Sequence, residues 1–222
     1  MSVSVKDRVV TFIDDPAATV EKNVRLSDGD ETVTQYFNGW KLLLAATSED
    51  ETATVDFGDR LIFDIDKLKR VTFRAAVSAI PAGVSAYIGL ASAHNATVDS
   101  IASRILFQME GSSNVTVRTD DGVTDSGDIA TPFSVDGTVQ DFTIDLKSGV
   151  ESSIPAYLSK TGKSAVQFFS ESKGSGLRKL QKSGMTMAAY ASGLQPYVRI
   201  LKPSGTAVGS IVLYSICYEL EE

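Results

Sequence analysis

The sequence predicts an all-β chain built as two packed antiparallel sheets. Three observations lead there. Apolar residues recur at every second position in most segments, turn-forming residues separate those segments, and helical periodicity is nearly absent.

Taken in order, "SVSVKDRVVTFIDD" alternates through Val3, Val5 and Val9 to Phe12, and Pro16 then opens a stretch of small residues. Residues 1–20 therefore read as an N-terminal arm or as a first strand, and residues 21–222 as the sandwich. "YFNGWKLLLAAT" is short enough for one helical turn or a strand. "LIFDID" (61–66) alternates, and so does "RVTFRAAVS" (70–78), with Val71, Phe73, Ala75 and Val77 on one face. "SAYIGLAS" and the closing "SIVLYSICYEL" are more continuously apolar, which suits strands buried on both sides. "DSIASRILFQME" (99–110) begins like a helix capped by Asp99 but ends like a strand. "VTVRT" (115–119) and "VQDFTIDLK" (139–147) alternate again. Turn chemistry lies between the runs, at Ser27-Asp28-Gly29, Pro81-Ala82-Gly83, Asp121-Gly122, Asp136-Gly137 and Pro203-Ser204-Gly205. A run of strands this regular, without helices between them, folds as two layers.

A chain of 222 residues, 43% hydrophobic and 22% charged, suffices for one large domain with its own core. The single cysteine, Cys217, has no partner for an internal disulfide and reads as a small hydrophobe within its strand. No secretory signal or membrane-length apolar run is visible, so synthesis in a cytosol is expected. The net charge of −7 argues against general nucleic-acid binding. That charge is unevenly spread: residues 1–66 carry 14 acids against 6 bases, and residues 155–205 carry 8 bases against 1 acid. Solvated loops account for this, or complementary regions that meet in an assembly.

Most enzymatic readings fail on spacing. Thr161-Gly162-Lys163-Ser164 resembles the end of a phosphate loop, but Tyr157 stands where the earlier glycine is needed, and a strand-like "AVQFF" follows instead of a helix. Thr161-Gly162 reads as a hairpin turn. His94 is the single histidine, with neither a second imidazole nor a cysteine pair for zinc, so a local hydrogen-bonding role is expected. Asp64/Asp66 and Glu219/Glu221 have the i, i+2 spacing of same-face carboxylates, yet both sit near turns or the chain end. The loop "TDDGVTDSGD" groups Asp120, Asp121, Asp125 and Asp128 without the residue order of a calcium loop. No cofactor, metal ligand or catalytic residue is therefore expected. Trp40 and Tyr197 are candidates for stacking on a sugar, with core packing as the alternative. "KGSGLRKLQK" sets Lys173, Arg178, Lys179 and Lys182 among glycines, as a solvated loop or a contact to an acidic neighbour.

Phe57-Gly58-Asp59, "GLAS" at 89–92 and the final "SIVLYSICYEL" resemble the concanavalin/laminin G-like jelly rolls found among tailed-bacteriophage virion proteins. The likeness spans roughly residues 37–220 and brings no catalytic residues with it. It implies a non-enzymatic structural protein of the virion: a capsid decoration (cement) protein bound across major capsid subunits, with a head fibre or tail accessory role beside it. A homotrimer, no nucleic acid and no membrane are the partner expectations. Val3, Val5, Val9 and Phe12 would anchor the arm on a neighbour's strand edge, and Lys173, Arg178, Lys179 and Lys182 would meet acidic surface. A glycan-binding fibre or adhesin module using Trp40 and Tyr197 is the first alternative, and a polysaccharide-active enzyme the second.

Overall fold

The computed structural model describes residues 9–11, 33–36, 39–59, 63–148, 163–172, 178–179, 187, 189–190 and 193–220. Fourteen strands run in chain order through these residues: β1 (Val9–Thr11), β2 (Val33–Tyr36), β3 (Gly39–Leu43), β4 (Glu51–Asp56), β5 (Leu68–Val77), β6 (Ser85–Ala91), β7 (Arg104–Glu110), β8 (Asn114–Asp120), β9 (Ile129–Ser134), β10 (Val139–Ser148), β11 (Lys163–Ser172), β12 (Arg178–Lys179), β13 (Gln195–Lys202) and β14 (Ser210–Leu220). One short 3₁₀ turn, Val98–Ser100, is the only helical element among the described residues. No helix there is long and apolar enough to cross a membrane.

Two antiparallel sheets result. The larger has the order β12-β11-β10-β5-β14-β3-β2, with β1 added alongside β14. The other has the order β4-β13-β6-β7-β8-β9. The chain passes between layers at β3–β4, β4–β5, β5–β6, β9–β10, β12–β13 and β13–β14, so strands near in sequence face each other across the core. The alternation expected in β5 is present: Val71, Phe73, Ala75 and Val77 are all fully buried. Phe107 of the smaller sheet meets Phe142 and Phe168 of the larger one edge-on, with ring centroids 5.2 and 4.9 Å apart. Each such contact adds about 1 kcal/mol beyond the area it buries.

Three expectations need correction or completion. "LIFDID" is no continuous strand: Phe63 makes a single bridge to Leu194, and Asp64 then accepts the backbone N–H of Lys67 to close a turn. "YFNGWKLLLAAT" contains a strand, β3, because Gly39 lets the backbone lie against β14; a Cβ there would stand 2.4 Å from the Leu213 carbonyl oxygen. The continuous apolar run of β14 does not mean burial on both faces. A register shift between Leu213 and Ser215 inverts its parity, so Ile211 and Leu213 point inward before it and Ile216 after it. Cys217 then lies half-buried between its cross-strand partners Thr72 and Thr11.

The solvent side of the larger sheet carries an ionic ladder. Arg70 pairs with Asp145 at 3.3 Å and Glu219 at 3.4 Å, and Arg74 pairs with Asp141 at 3.6 Å. The Arg74–Asp141 and Arg70–Glu219 pairs are partly exposed and worth about 0.5 kcal/mol each, whereas Asp145 is buried. Of the Glu219/Glu221 pair, Glu219 is a partner of Arg70 and Glu221 lies outside the described residues.

Candidate functional site

Strand parity splits the smaller sheet into two faces. Ala53, Val55, Val198, Ile200, Ala86, Ile88, Ile105, Phe107, Val115 and Val117 fill the core. The residues between them form the outer face, and the register sets them in rows. Thr54 of β4 pairs with Arg199 of β13, Arg199 with Tyr87 of β6, Tyr87 with Gln108 of β7, and Gln108 with Thr116 of β8. One polar row thus crosses five strands. The next row, Asp56–Tyr197–Gly89–Leu106–Arg118, is more apolar at its centre.

The segment 92–103 lies over that second row. Its ends are pinned together where Ser92 N–H donates to the Ser103 carbonyl at 2.8 Å. Val98 and Ile101 pack in one cluster with Tyr87, Ala91, Leu106 and Tyr197. Arg199 Nη1 donates to the Asn95 carbonyl at 2.5 Å, and Arg104 Nη1 donates to that of Val98. Asp99 accepts Arg104 at 3.2 Å and Arg118 at 3.1 Å. At the sheet's edge, His94 Nδ1 lies 3.0 Å from Asp56 Oδ2, while its backbone N–H donates to Asp59 Oδ1 at 2.6 Å. Gln195 completes this corner, accepting the N–H groups of Phe57 and Asp59 and donating to Asp59. The local hydrogen-bonding role expected of His94 is what the structure shows.

The covering segment reaches the polar row as well, through Tyr87 and Arg199, and Thr54, Arg199, Tyr87 and Gln108 are all buried. Tyr87 donates its hydroxyl to Glu110 Oε1 at 2.6 Å. Burial, reinforced by that carboxylate, pushes the phenol well above its ordinary range. Three buried polar atoms here have no hydrogen-bond partner: Thr54 Oγ1, Gln108 Oε1 and Arg199 Nε. They are three of nine such buried atoms among the described residues, and buried polar atoms in native folds are nearly always satisfied, by protein or by ordered water.

Carboxylates on this face differ in separation: Asp99 of the covering segment and Asp120 of β8 both lie within 3.4 Å of Arg104 Nη2, so their oxygens are at most about 7 Å apart. Asp56 and Glu110 are the outer-face carboxylates of β4 and β7, three strands apart, which is about 14 Å before any offset along the strands. Retaining and inverting glycosidases place theirs within about 5 to 9.5 Å.

The sequence-predicted positions fare unevenly. Trp40 and Tyr197, proposed for sugar stacking, are 3% and 0% exposed; Trp40 packs inside the core and Tyr197 beneath Val98 and Ile101, so neither offers a ring face to a ligand. Val9 opens β1, whose backbone pairs with β14 of the same chain, Val9 opposite Glu219. Arg178 and Lys179 form β12 beside Ser170 and Phe169 of β11. Val3, Val5, Phe12, Lys173 and Lys182 lie outside the described residues, as does the Thr161-Gly162 turn. Lys163 and Ser164 begin a strand, not a helix, which removes the phosphate-loop reading.

The acidic loop 120–128 is arranged around arginines, not around an ion. Asp125 holds Arg118 bidentately, Asp128 lies 3.5 Å from it and Asp120 lies 3.4 Å from Arg104. Hydrogen bonding to Arg118 keeps the Asp125 carboxyl below its ordinary range. Asp121 caps the backbone N–H groups of Val123, Thr124 and Ala189. Among the described residues no group of three His, Cys, Asp or Glu side chains is placed to hold a metal.

Sequence reasoning missed Thr54, Arg199, Tyr87 and Gln108. Their signal was present as the odd polar residue in "YVRIL", "SAYIG" and "LFQME", but only the register aligns them.

No protein-family model matches the chain, and no curated protein matches it in sequence. Solved structures do resemble it in fold. A protein of unknown function from Shewanella oneidensis MR-1 is 12% identical with a TM-score of 0.63, covering 99% of this chain and 89% of its own. The lectin UEA-II complexed with galactose is 11% identical at 0.62, covering 98% and 100%. The Crh5 transglycosylase in complex with NAG is 15% identical at 0.61, covering 95% and 83%. Identities this low carry the architecture and nothing more. The chain is an all-β, concanavalin-like jelly-roll sandwich of two antiparallel sheets.

Proposed function

We propose that the protein is a non-enzymatic binding module that takes a saccharide on the outer face of its six-stranded sheet. The unsatisfied polar row carries this reading. Sugar hydroxyls both donate and accept, and Gln108 Oε1 and Thr54 Oγ1 are buried oxygens with nothing yet to bond. A lectin complexed with galactose and a transglycosylase in complex with NAG share the fold, which supports a saccharide as the occupant. Asp99 and Asp120 are both committed to Arg104, which favours binding over hydrolysis.

Gln108→Ala removes an acceptor without touching the core. It is expected to lower glycan-array binding at least tenfold while the melting temperature stays within a few degrees. A folded wild-type protein that retains no glycan on the array would overturn the reading, and so would saccharide cleavage by purified protein.

A second reading, the phage-virion subunit implied by the sequence resemblance, draws on one observation. β1 adds a strand to β14 of its own chain, and an arm that docks on a neighbouring subunit would make the same kind of pairing with that subunit's strand edge. Deleting residues 2–15 is expected to abolish attachment to purified particles on this reading. Unchanged attachment would eliminate the arm as an anchor.

A further inference from the structure

We infer that the saccharide is an acidic one, its carboxylate held side-on by Arg199; this rests on the outer-face reading above. Arg70, Arg74, Arg104 and Arg118 each have an aspartate or glutamate within ion-pairing distance, as does Lys202. Arg199 is 3% exposed and has no carboxylate partner among the described residues. Its charge meets only neutral oxygens. A guanidinium buried in this way is costly unless an anion compensates it.

One edge of the buried guanidinium is occupied and the other is not. Nη1 is occupied, donating to the Asn95 carbonyl at 2.5 Å and to the Tyr197 hydroxyl at 3.0 Å. Nε and Nη2 share the opposite edge of the planar group, the fork that fits a carboxylate with two parallel hydrogen bonds. Nε has no partner, and Nη2 has only a long 3.4 Å contact to Thr52 Oγ1. Thr52 and Thr54 stand on β4, and the unpartnered Thr54 hydroxyl faces Arg199 across the strand pair. A carboxylate at the fork accepts from Nε, Nη2 and the two threonines. Gln108 lies two strands away, roughly 10 Å along the row, and accepts a hydroxyl from the same sugar or the next. Glu110, exposed beyond Tyr87, keeps a second acidic group away from that end.

Calorimetric titration of the full chain with galacturonate oligosaccharides and with galactose oligosaccharides of equal length tests this. At least a tenfold preference for the acidic series is expected. Arg199→Gln should erase the preference, and Thr52→Val with Thr54→Val should weaken only the acidic series. Should Arg199→Gln fail to fold, the double threonine variant decides alone. Equal affinity for both series overturns the acidic assignment and leaves saccharide binding standing. A folded wild type that binds neither overturns both, and an acid preference untouched by all three substitutions overturns the role of Arg199.

Discussion

Gly89→Ala is expected to destabilise the protein by about 3 kcal/mol or more, the upper range for overpacking, and to leave a fraction of it unfolded at 37 °C. Gly89 sits mid-strand in β6, paired with Tyr197 on one side and Leu106 on the other. A Cβ there would stand 2.0 Å from the Ile105 carbonyl oxygen and 3.1 Å from Leu106 Cα. Both are backbone atoms of β7, which is hydrogen-bonded to β6 and β8 and cannot retreat without breaking a ladder. The missing side chain also leaves the gap between Tyr197 and Leu106 over which Val98 and Ile101 pack. Urea denaturation monitored by tryptophan fluorescence measures the effect. A midpoint matching the wild type would show that β7 yields, contrary to this account.

Glu51→Gln is the second substitution with a large expected cost, about 3 kcal/mol at pH 7. Glu51 and Lys202 are 1% and 0% exposed and lie 3.2 Å apart. Lys202 Nζ also donates to the carbonyls of Ala45 at 2.5 Å and Thr47 at 2.6 Å. Glu51 accepts Ala45 N–H at 2.8 Å and the Thr47 hydroxyl. Together they fasten the 44–50 loop to β4 and β13, and the amide would leave a buried ammonium without its counter-charge. Burial alone would raise the Glu51 pKa, but the bonds from Thr47, Lys202 and Ala45 outweigh it and hold the carboxyl below its ordinary 4.5. A depressed folded-state value fixes the sign. The stabilisation is complete above about pH 4.5 and is lost as pH falls through the lower folded value. The gap between wild type and Glu51→Gln should therefore be wide at pH 7 and close progressively in acid. A gap independent of pH would show that the charge does not carry the effect.

Period-two patterning made most strands legible because each exposes one face to water and one to the core. Val71, Phe73, Ala75 and Val77 needed nothing further. Patterning fails where parity changes within a strand, as at the shift beside Tyr214, since both halves of β14 then look apolar throughout. It also assigns a residue to a face without saying what covers that face. Tyr197 is outward-facing, yet the 92–103 segment buries it, and in the sequence the part of that segment from Asp99 onward reads equally as a capped helix start or the lead into a strand. The polar row lay beyond sequence reasoning for a different reason. Thr54 and Arg199 are neighbours only through pairing across a long stretch of chain, and the Glu51–Lys202 pair arises in the same way.

One edge of β14 is shared by two strands, while β5 takes the other edge, and this has a mechanical consequence. β3 pairs with its residues 210–213, and β1 pairs with 217–219 on the far side of the register shift. Among the described residues, tension applied at the N-terminus meets the three-residue β1 ladder before the β3–β14 contact. Release of that short ladder leaves β14 still paired with β5 and β3.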